Sequence, residues 1–308
     1  ASVFRFDVET GKKFRLRGGK KDTDDYLRDI VLSVAVSSDG TFLATGGIDK
    51  SISIWDTRTL NIVRRFQGHK HTVSCLQFRQ GSHDLYSGSF DRTVKLWNLD
   101  EMTYVDTLYG HQSEITSIDC LSRERAITCG VDKSIRLWKI VEETQLLFKG
   151  NLSDSIDSVK FINDENWVSG AQDGSIALWN IKKKKHVAFE KNAALKYPTN
   201  LTSPVNKWPG TGSPWISSVG SCWQTDIIGV GSATGYFGFW QAKFDTEKAS
   251  LTPMQYVPLN GFINSITFSQ SGRFVLAGVG HEHKFGRWFR EPTAKNGVYL
   301  IPLPKFDE

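Results

Sequence analysis

Residues 68–108 read GHKHTVSCLQFRQGSHDLYSGSFDRTVKLWNLDEMTYVDTL. Val73–Phe78 is a short apolar run and Leu85–Ser89 a second, while Thr93–Trp97 alternates polar and apolar residues as a half-buried strand does. Met102–Leu108 supplies a fourth strand after a turn at Leu99-Asp100-Glu101. Four short strands divided by Gly, Ser and Asp turns predict one small antiparallel sheet. The unit recurs along the chain. Trp55, Trp97, Trp138 and Trp179 follow one another at intervals of 42, 41 and 41, each with an aspartate six positions earlier: Asp49, Asp91, Asp132 and Asp173.

A period of about 40–45 residues with an Asp…Trp pair in each unit is the pattern of the WD-repeat β-propeller, an all-β ring of small sheets. The 308 residues are therefore expected to form one domain. Full blades are expected at 27–66, 69–108, 111–148, 151–189, 215–257 and 262–303, with 190–214 as an inserted loop. In the last two blades the grammar decays: Trp240 has Thr234 at the Asp position, and Trp288 has Glu282. Residues 1–17 read as a partial blade, with Phe4–Val8 as a third strand, Phe6 in the Trp role, and Lys13–Leu16 as a fourth strand. Residues 298–303 read as the last strand of the final blade. An open ring exposes strand edges, so the expectation is a seven-bladed propeller whose first two strands and N-terminal tail lie upstream of Ala1.

The repeated residues have a structural chemistry. In the WD pattern, a Gly-His histidine, a hydroxyl on the second strand, the turn aspartate and the tryptophan form a buried hydrogen-bond chain. The matching sets are His69, Ser87, Asp91 and Trp97, then His111, Thr128, Asp132 and Trp138. A Ser-His-Asp catalytic triad is the alternative reading. Recurrence of the trio in successive blades is what a scaffold needs and an active site does not, so no catalytic residue and no enzyme activity are expected.

Apolar residues make up 39% of the chain and charged residues 23%, and no apolar run is long enough to span a membrane. Cys75, Cys120, Cys129 and Cys222 show no C-x-x-C spacing, so neither a metal site nor a disulfide framework is expected, and no cofactor. A net charge of +5 permits an acidic partner such as RNA without requiring one.

The irregularities fall on one face of the expected ring. Gly18–Tyr26 and Glu190–Pro214 are long fourth-to-first connections, and Gly280–Lys284 is a second-to-third turn. They read either as a binding surface on a rigid scaffold or as loops that tolerate drift. His281, His283, Lys284, Arg287 and Arg290, interleaved with Trp288 and Phe289, make a basic and aromatic patch suited to RNA. Lys20 and Lys21 join it as candidates. The plainer reading is an ordinary turn and strand. Metal binding by His281 and His283 would need further ligands that the neighbourhood does not offer. Lys182, Lys183, Lys184 and Lys185 form a run in a third-to-fourth turn, read as a nuclear import element, a phosphate contact or a solvated turn.

Five stretches go beyond generic repeat grammar: residues 122–148, 168–185, PWISSV at 214–219, GFINSITFSQSGRFVLAGVGHEHKFGRWFR at 261–290, and VYLIPL at 298–303. They resemble the WD-repeat protein of the U-three (U3) small nucleolar ribonucleoprotein, over nearly the whole chain. The resemblance implies a non-catalytic nucleolar subunit, a monomer within its particle and without membrane association. Its implied partners are the box B/C region of the U3 RNA, a small kink-turn-binding protein already seated there, and other small nucleolar ribonucleoprotein and small-subunit processome proteins. It also implies support of pre-ribosomal RNA processing and small-subunit assembly, and an acidic and basic N-terminal tail that these residues lack. A generic propeller adaptor that binds peptides, such as a ubiquitin-ligase substrate receptor, is the alternative.

Overall fold

The computed structural model describes residues 3–16, 29–149, 154–195, 213–244, 248–286 and 289–303. Among these, β1 (Phe4–Phe6) and β2 (Lys13–Arg15) pair as a two-stranded antiparallel sheet. The next sheet holds β3 (Val31–Val36), β4 (Phe42–Gly47), β5 (Ile52–Asp56) and β6 (Ile62–Phe66). It is followed by β7 (Val73–Phe78), β8 (Asp84–Ser89), β9 (Thr93–Asn98) and β10 (Thr103–Tyr109). Then come β11 (Ile115–Cys120), β12 (Arg125–Gly130), β13 (Ile135–Lys139) and β14 (Thr144–Phe148). A further sheet is β15 (Ile156–Phe161), β16 (Asn166–Ala171), β17 (Ile176–Asn180) and β18 (Ala188–Glu190). The last two are β19 (Ile216–Ser221), β20 (Ile227–Ser232), β21 (Tyr236–Phe244) and β22 (Ala249–Pro258), then β23 (Phe262–Phe268), β24 (Phe274–Gly280) and β25 (Gly297–Pro302). The protein is an all-β WD-repeat propeller chain, with six sheets of three or four strands and one of two.

The chain divides into two compact units, residues 1–128 with 138–144, and residues 129–137 with 145–308. In the first, Trp97, Leu85, Leu99, Phe66, Val73 and Ile54 share one buried cluster. Val3 and Leu16 flank the β1–β2 hairpin and close over Trp55. Phe4, Phe6 and Phe14 stay exposed, with Lys13 Nζ 3.8 Å from the centre of the Phe4 ring. In the second unit, Trp240, Ile216, Val219, Leu178 and Ile228 form one cluster, and Phe237, Ile263, Val275 and Ile301 lie in another.

Three devices join successive sheets. First, a glycine on the second strand, nine residues before the Trp, lets the next sheet approach. A Cβ on Gly88 would meet Ile115 Cγ2 at 2.8 Å, and one on Gly170 would meet Ile216 Cγ2 at 2.5 Å. Second, first-strand hydroxyls stitch across. Ser33 Oγ accepts from Leu76 N at 2.9 Å, and Ser158 Oγ accepts from Val219 N at 3.0 Å. Third, the first strands carry a β-bulge at equivalent places: Leu32, Ser74, Asp157, Ser217 and Asn264 each fall where the register shifts. A bulged residue is left out of the ladder, which frees its side chain for other contacts. Ser74 Oγ uses that freedom to donate to the Ile115 carbonyl, and Ser217 Oγ to donate to the Ile263 carbonyl at 2.7 Å.

The last sheet departs from the expectation built on Trp288. Trp55, Trp97, Trp179 and Trp240 each pair with the residue 12 positions earlier on the second strand: Leu43, Leu85, Trp167 and Ile228. In the last sheet the corresponding pair is Val275 with Ile301. Ile301 is buried and fills the Trp role. Residues 297–302 are thus a third strand rather than a fourth, and the stretch from His281 to Asn296 is the loop that precedes it. Trp288 lies outside the described residues.

Candidate functional site

The recurrent tetrads are internal. His69 Nδ1 stands 2.8 Å from Asp91 Oδ2, and His69 Nε2 stands 2.8 Å from Ser87 Oγ, which accepts from Trp97 Nε1 at 2.9 Å. Asp91 also accepts from Lys70 N and from the amide and hydroxyl of Thr93. Burial pushes the Asp91 carboxyl up, but hydrogen bonds from His69 and Thr93 and the His69 charge outweigh it and hold the group well below the usual carboxylate range. In the next repeat, Thr128 Oγ1 lies 2.7 Å from His111 Nε2 and accepts from Trp138 Nε1 at 2.8 Å. Asp132 caps its own turn through the amide and hydroxyl of Ser134. Thr45 with Trp55 and Ser169 with Trp179 keep the final link of the chain. At the same register Val230 has no hydroxyl, and Trp240 Nε1 is buried with no acceptor among the described residues.

The basic patch takes a different form from a free surface. The 281–290 loop leaves β24, turns at Lys284-Phe285, and returns so that Glu282 and Arg290 form an antiparallel bridge. Arg290 Nε and Glu282 Oε1 are 3.4 Å apart at the exposed rim. His283 is buried, its ring edge-on to Trp215 with centres 5.9 Å apart, and Trp215 in turn meets Phe289 at 5.3 Å. His283 Nε2 lies 3.5 Å from Asp157 Oδ2, with both side chains fully excluded from solvent. Asp157 also accepts from Ser155 Oγ and from both approaches of Gln172 Nε2. Asn264 clamps the loop from the other side. Its Nδ2 donates to the Glu282 carbonyl at 2.8 Å, and its Oδ1 accepts from Lys284 N at 3.0 Å. Lys284 Nζ reaches the Asp157 carbonyl at 3.5 Å and lies 4.7 Å from the centre of the Phe285 ring.

Of the patch residues, His283 and Lys284 are therefore turned into the unit, while His281 and Arg290 stand at the rim. Arg287, Lys20 and Lys21 lie outside the described residues, as do Gly18–Tyr26 and residues 196–212 of the inserted loop. The residues missed by sequence reading are Asp157, Asn264 and Trp215. A signal existed for the first two: the bulge position carries Ser in two sheets but Asp and Asn in these.

Lys182–Lys185 occupy the β17–β18 turn and are exposed, with Lys182 Nζ 2.8 Å from Glu165 Oε2. The four cysteines are buried thiols that are not joined in disulfides. Among the described residues no group of His, Cys, Asp or Glu has the arrangement of a metal site.

The WD domain, G-beta repeat family model matches residues 25–56, 60–98, 102–139 and 142–180. The chain is 42% identical over 282 residues to the U3 snoRNP-associated protein-like YAO of Arabidopsis thaliana, spanning 88% of this chain and 55% of that protein. It is also 42% identical over 307 residues to the human U3 small nucleolar RNA-interacting protein 2, spanning 98% of this chain and 62% of that protein. The chain thus covers somewhat over half the length of these curated relatives. Among solved structures, one of U3-55K matches with a TM-score of 0.88 at 42% identity, over 98% of this chain and 89% of that one. The RRP9 WD40 repeats match with a TM-score of 0.87 at 42% identity, over 98% and 88%.

Proposed function

We propose a role for this chain from its family: it belongs to the WD-repeat proteins associated with the U3 small nucleolar ribonucleoprotein. In this reading it is a non-catalytic RNA- and protein-binding subunit. It docks on the box B/C kink-turn of the U3 RNA together with the kink-turn-binding protein, and supports pre-ribosomal RNA processing in the nucleolus. The whole-chain match to U3-55K carries the proposal. A seven-bladed ring belongs to the same reading.

The interface proposed is the rim of the 281–290 loop, where His281 and Arg290 meet RNA backbone, with Arg287, Lys20 and Lys21 as further candidate contacts and Lys284 held beneath the rim. His283 supports that rim from beneath through Trp215 and Asp157. A kink-turn offers bent backbone and flipped bases, so recognition by shape and phosphate suits a basic rim on a rigid anchor. The Lys182–Lys185 turn is proposed as an import element or phosphate contact, since it is exposed.

The test is binding to box B/C RNA loaded with the kink-turn-binding protein, across a salt series. Binding through several phosphates weakens steeply with salt, with a log–log slope of about −0.7 per phosphate for single strands. Charge reversal at Arg287 and Arg290 together is expected to abolish co-purification of the RNA with the fold intact. Absent or salt-insensitive binding, or capture of a peptide degron instead, overturns the reading in favour of a generic adaptor.

A further inference from the structure

The second unit carries a distinct surface at the end of its sheets away from the 281–290 loop. β24 lies between that loop and the turn at residues 269–273, and its seven residues of strand span about 20 Å. Three first-to-second-strand turns abut at this far end. A Cβ on Gly272, in the β23–β24 turn, would lie 3.9 Å from Cys222 Sγ in the β19–β20 turn. Gln224 N, in the β19–β20 turn, donates to the Ile162 carbonyl of the β15–β16 turn at 3.0 Å.

Trp223 stands on the middle turn, 39% exposed. Its indole has no ring contact and no hydrogen bond among the described residues. The backbone beneath it is braced. Thr225 N and Thr225 Oγ1 both donate to the Cys222 carbonyl, at 3.1 and 2.8 Å, and Ile227 N donates to Thr225 Oγ1 at 3.2 Å. The repeat does not ask for an aromatic residue here. Five-residue turns also follow β3, β7 and β23, and their second residues are Ser38, Gln80 and Gln270, all polar and exposed.

Cations stand on either side of the ring. Arg273 closes the β23–β24 turn and is exposed. The same place in the other five-residue turns holds Thr41, His83 and Asp226, so turn geometry does not call for an arginine. Lys243 is exposed near the end of β21 and follows Ala242, whose amide donates to the Asp226 carbonyl in the Trp223 turn at 2.7 Å. Neither the Arg273 guanidinium nor the Lys243 ammonium has a hydrogen bond or ion pair among the described residues. The carboxylates of the three turns are engaged. Asp226 accepts from Gln241, Glu165 pairs with Lys182, and Asp164 is not free either.

We infer that this end of the second unit binds single-stranded RNA, with one base stacked on Trp223 and the flanking phosphates on Arg273 and Lys243. A braced, unshared indole face gives any base a stacking platform, and cations on both sides follow the backbone of a strand. An acidic peptide would need its cations gathered into one patch, whereas these two stand on separate elements around a ring. The inference rests on the RNA-binding reading for the class of ligand, but its site is at the opposite end of the sheet from the 281–290 rim.

The experiment is anisotropy of the chain with a fluorescein-labelled single-stranded oligouridylate, with a blunt duplex RNA as comparison, over a salt series. All three side chains are exposed, so their substitution leaves the core untouched, and unchanged thermal melts verify this for each variant. Trp223→Ala is expected to weaken binding about 5- to 100-fold with the salt slope unchanged, and Trp223→Phe, which keeps a ring, to retain most of the binding. Arg273→Gln with Lys243→Gln is expected to flatten the log–log salt slope by about 0.7–1.4. Wild-type binding by either Trp223→Ala or the double variant, no binding of the single strand by wild type, or preference for the duplex overturns the site. So does displacement of the oligonucleotide by polyglutamate with the same dependence on all three residues, which assigns the surface to a protein. Absence of box B/C recognition with oligouridylate binding still dependent on Trp223 removes the family-level reading and leaves this site standing. Intact box B/C recognition with oligouridylate binding indifferent to these variants removes this site alone.

Discussion

The imidazole of His283 and the carboxylate of Asp157 face each other at 3.5 Å with both side chains fully shut off from water. Here Ser155 and Gln172 hold the carboxylate, and Trp215 flanks the ring. The pair ties the 281–290 loop to a first strand of another sheet. Sequence reading saw this loop as surface; the molecule uses half of it as an anchor.

Asn264→Ala removes both clamps on that loop, the bond to the Glu282 carbonyl and the one from Lys284 N. At about 1 kcal/mol per net bond, the loop should open roughly tenfold or more often. Hydrogen exchange of residues 281–290 measures this. Unchanged protection there, with the rest of the chain also unchanged, contradicts the clamp.

Trp97→Phe and Trp240→Phe shrink the same kind of buried ring in two sheets. Trp97 Nε1 has Ser87 as acceptor, whereas Trp240 Nε1 has none among the described residues. Trp97→Phe also leaves the buried Ser87 hydroxyl short of a donor, so it is expected to be more destabilising by about 1–3 kcal/mol. Trp97→Ala should cost several kcal/mol, in keeping with loss of a buried aromatic. Equal denaturation midpoints for the two Phe variants would remove the tetrad from the account of stability.

His83 gives a pH dependence. Its Nδ1 is 2.6 Å from Asp100 Oδ1 and its Nε2 is 3.1 Å from Asp39 Oδ2, and the Asp100 bond above all raises its pKa. A raised folded-state value means the stabilisation is complete below the unfolded value of about 6.5 and fades as pH climbs through the folded one. The partners are partly exposed, so solvent limits the effect to under about 1 kcal/mol. The stability gap between wild type and His83→Gln should therefore be larger at pH 5.5 than at pH 9. A gap that grows with pH contradicts the assignment.

Gly170→Ala tests how sheets abut. The new methyl would stand 2.5 Å from Ile216 Cγ2 and 2.9 Å from Val219 Cγ1, an overpacking expected to cost about 1–3 kcal/mol. Gly81→Ala, at φ 81° with open space around it, should cost only about 1 kcal/mol of backbone strain. Chemical denaturation of the two variants gives the comparison, and a milder effect at Gly170 would count against close approach.

The regular part of the fold was legible because its signal is local. The four strands read from residues 73–108 stand within a residue or two of those observed, since period-two alternation and turn residues set them directly. Counting by tryptophan failed at Trp288 for a physical reason. The Trp slot of the last sheet is filled by Ile301, across a loop too long for the period to reveal. The site was legible in composition and not in posture. His283, Lys284 and Arg290 announce a basic loop, but the burial of His283 depends on Asp157 and Trp215, which no spacing rule connects to it.

The β-bulge on the first strands has a consequence for how such a chain can change. Because the bulged residue takes no part in strand pairing, its identity is set apart from the ladder that builds the sheet. Ser74 and Ser217 spend that freedom on a neighbouring backbone, while Asp157 and Asn264 spend it on holding a loop. The repeat thus carries a socket in sheet after sheet. A short hydroxyl leaves the socket plugged, and a longer amide or carboxylate opens it to a new attachment. Diversification of a loop then requires one substitution beneath it and no redesign of the strands.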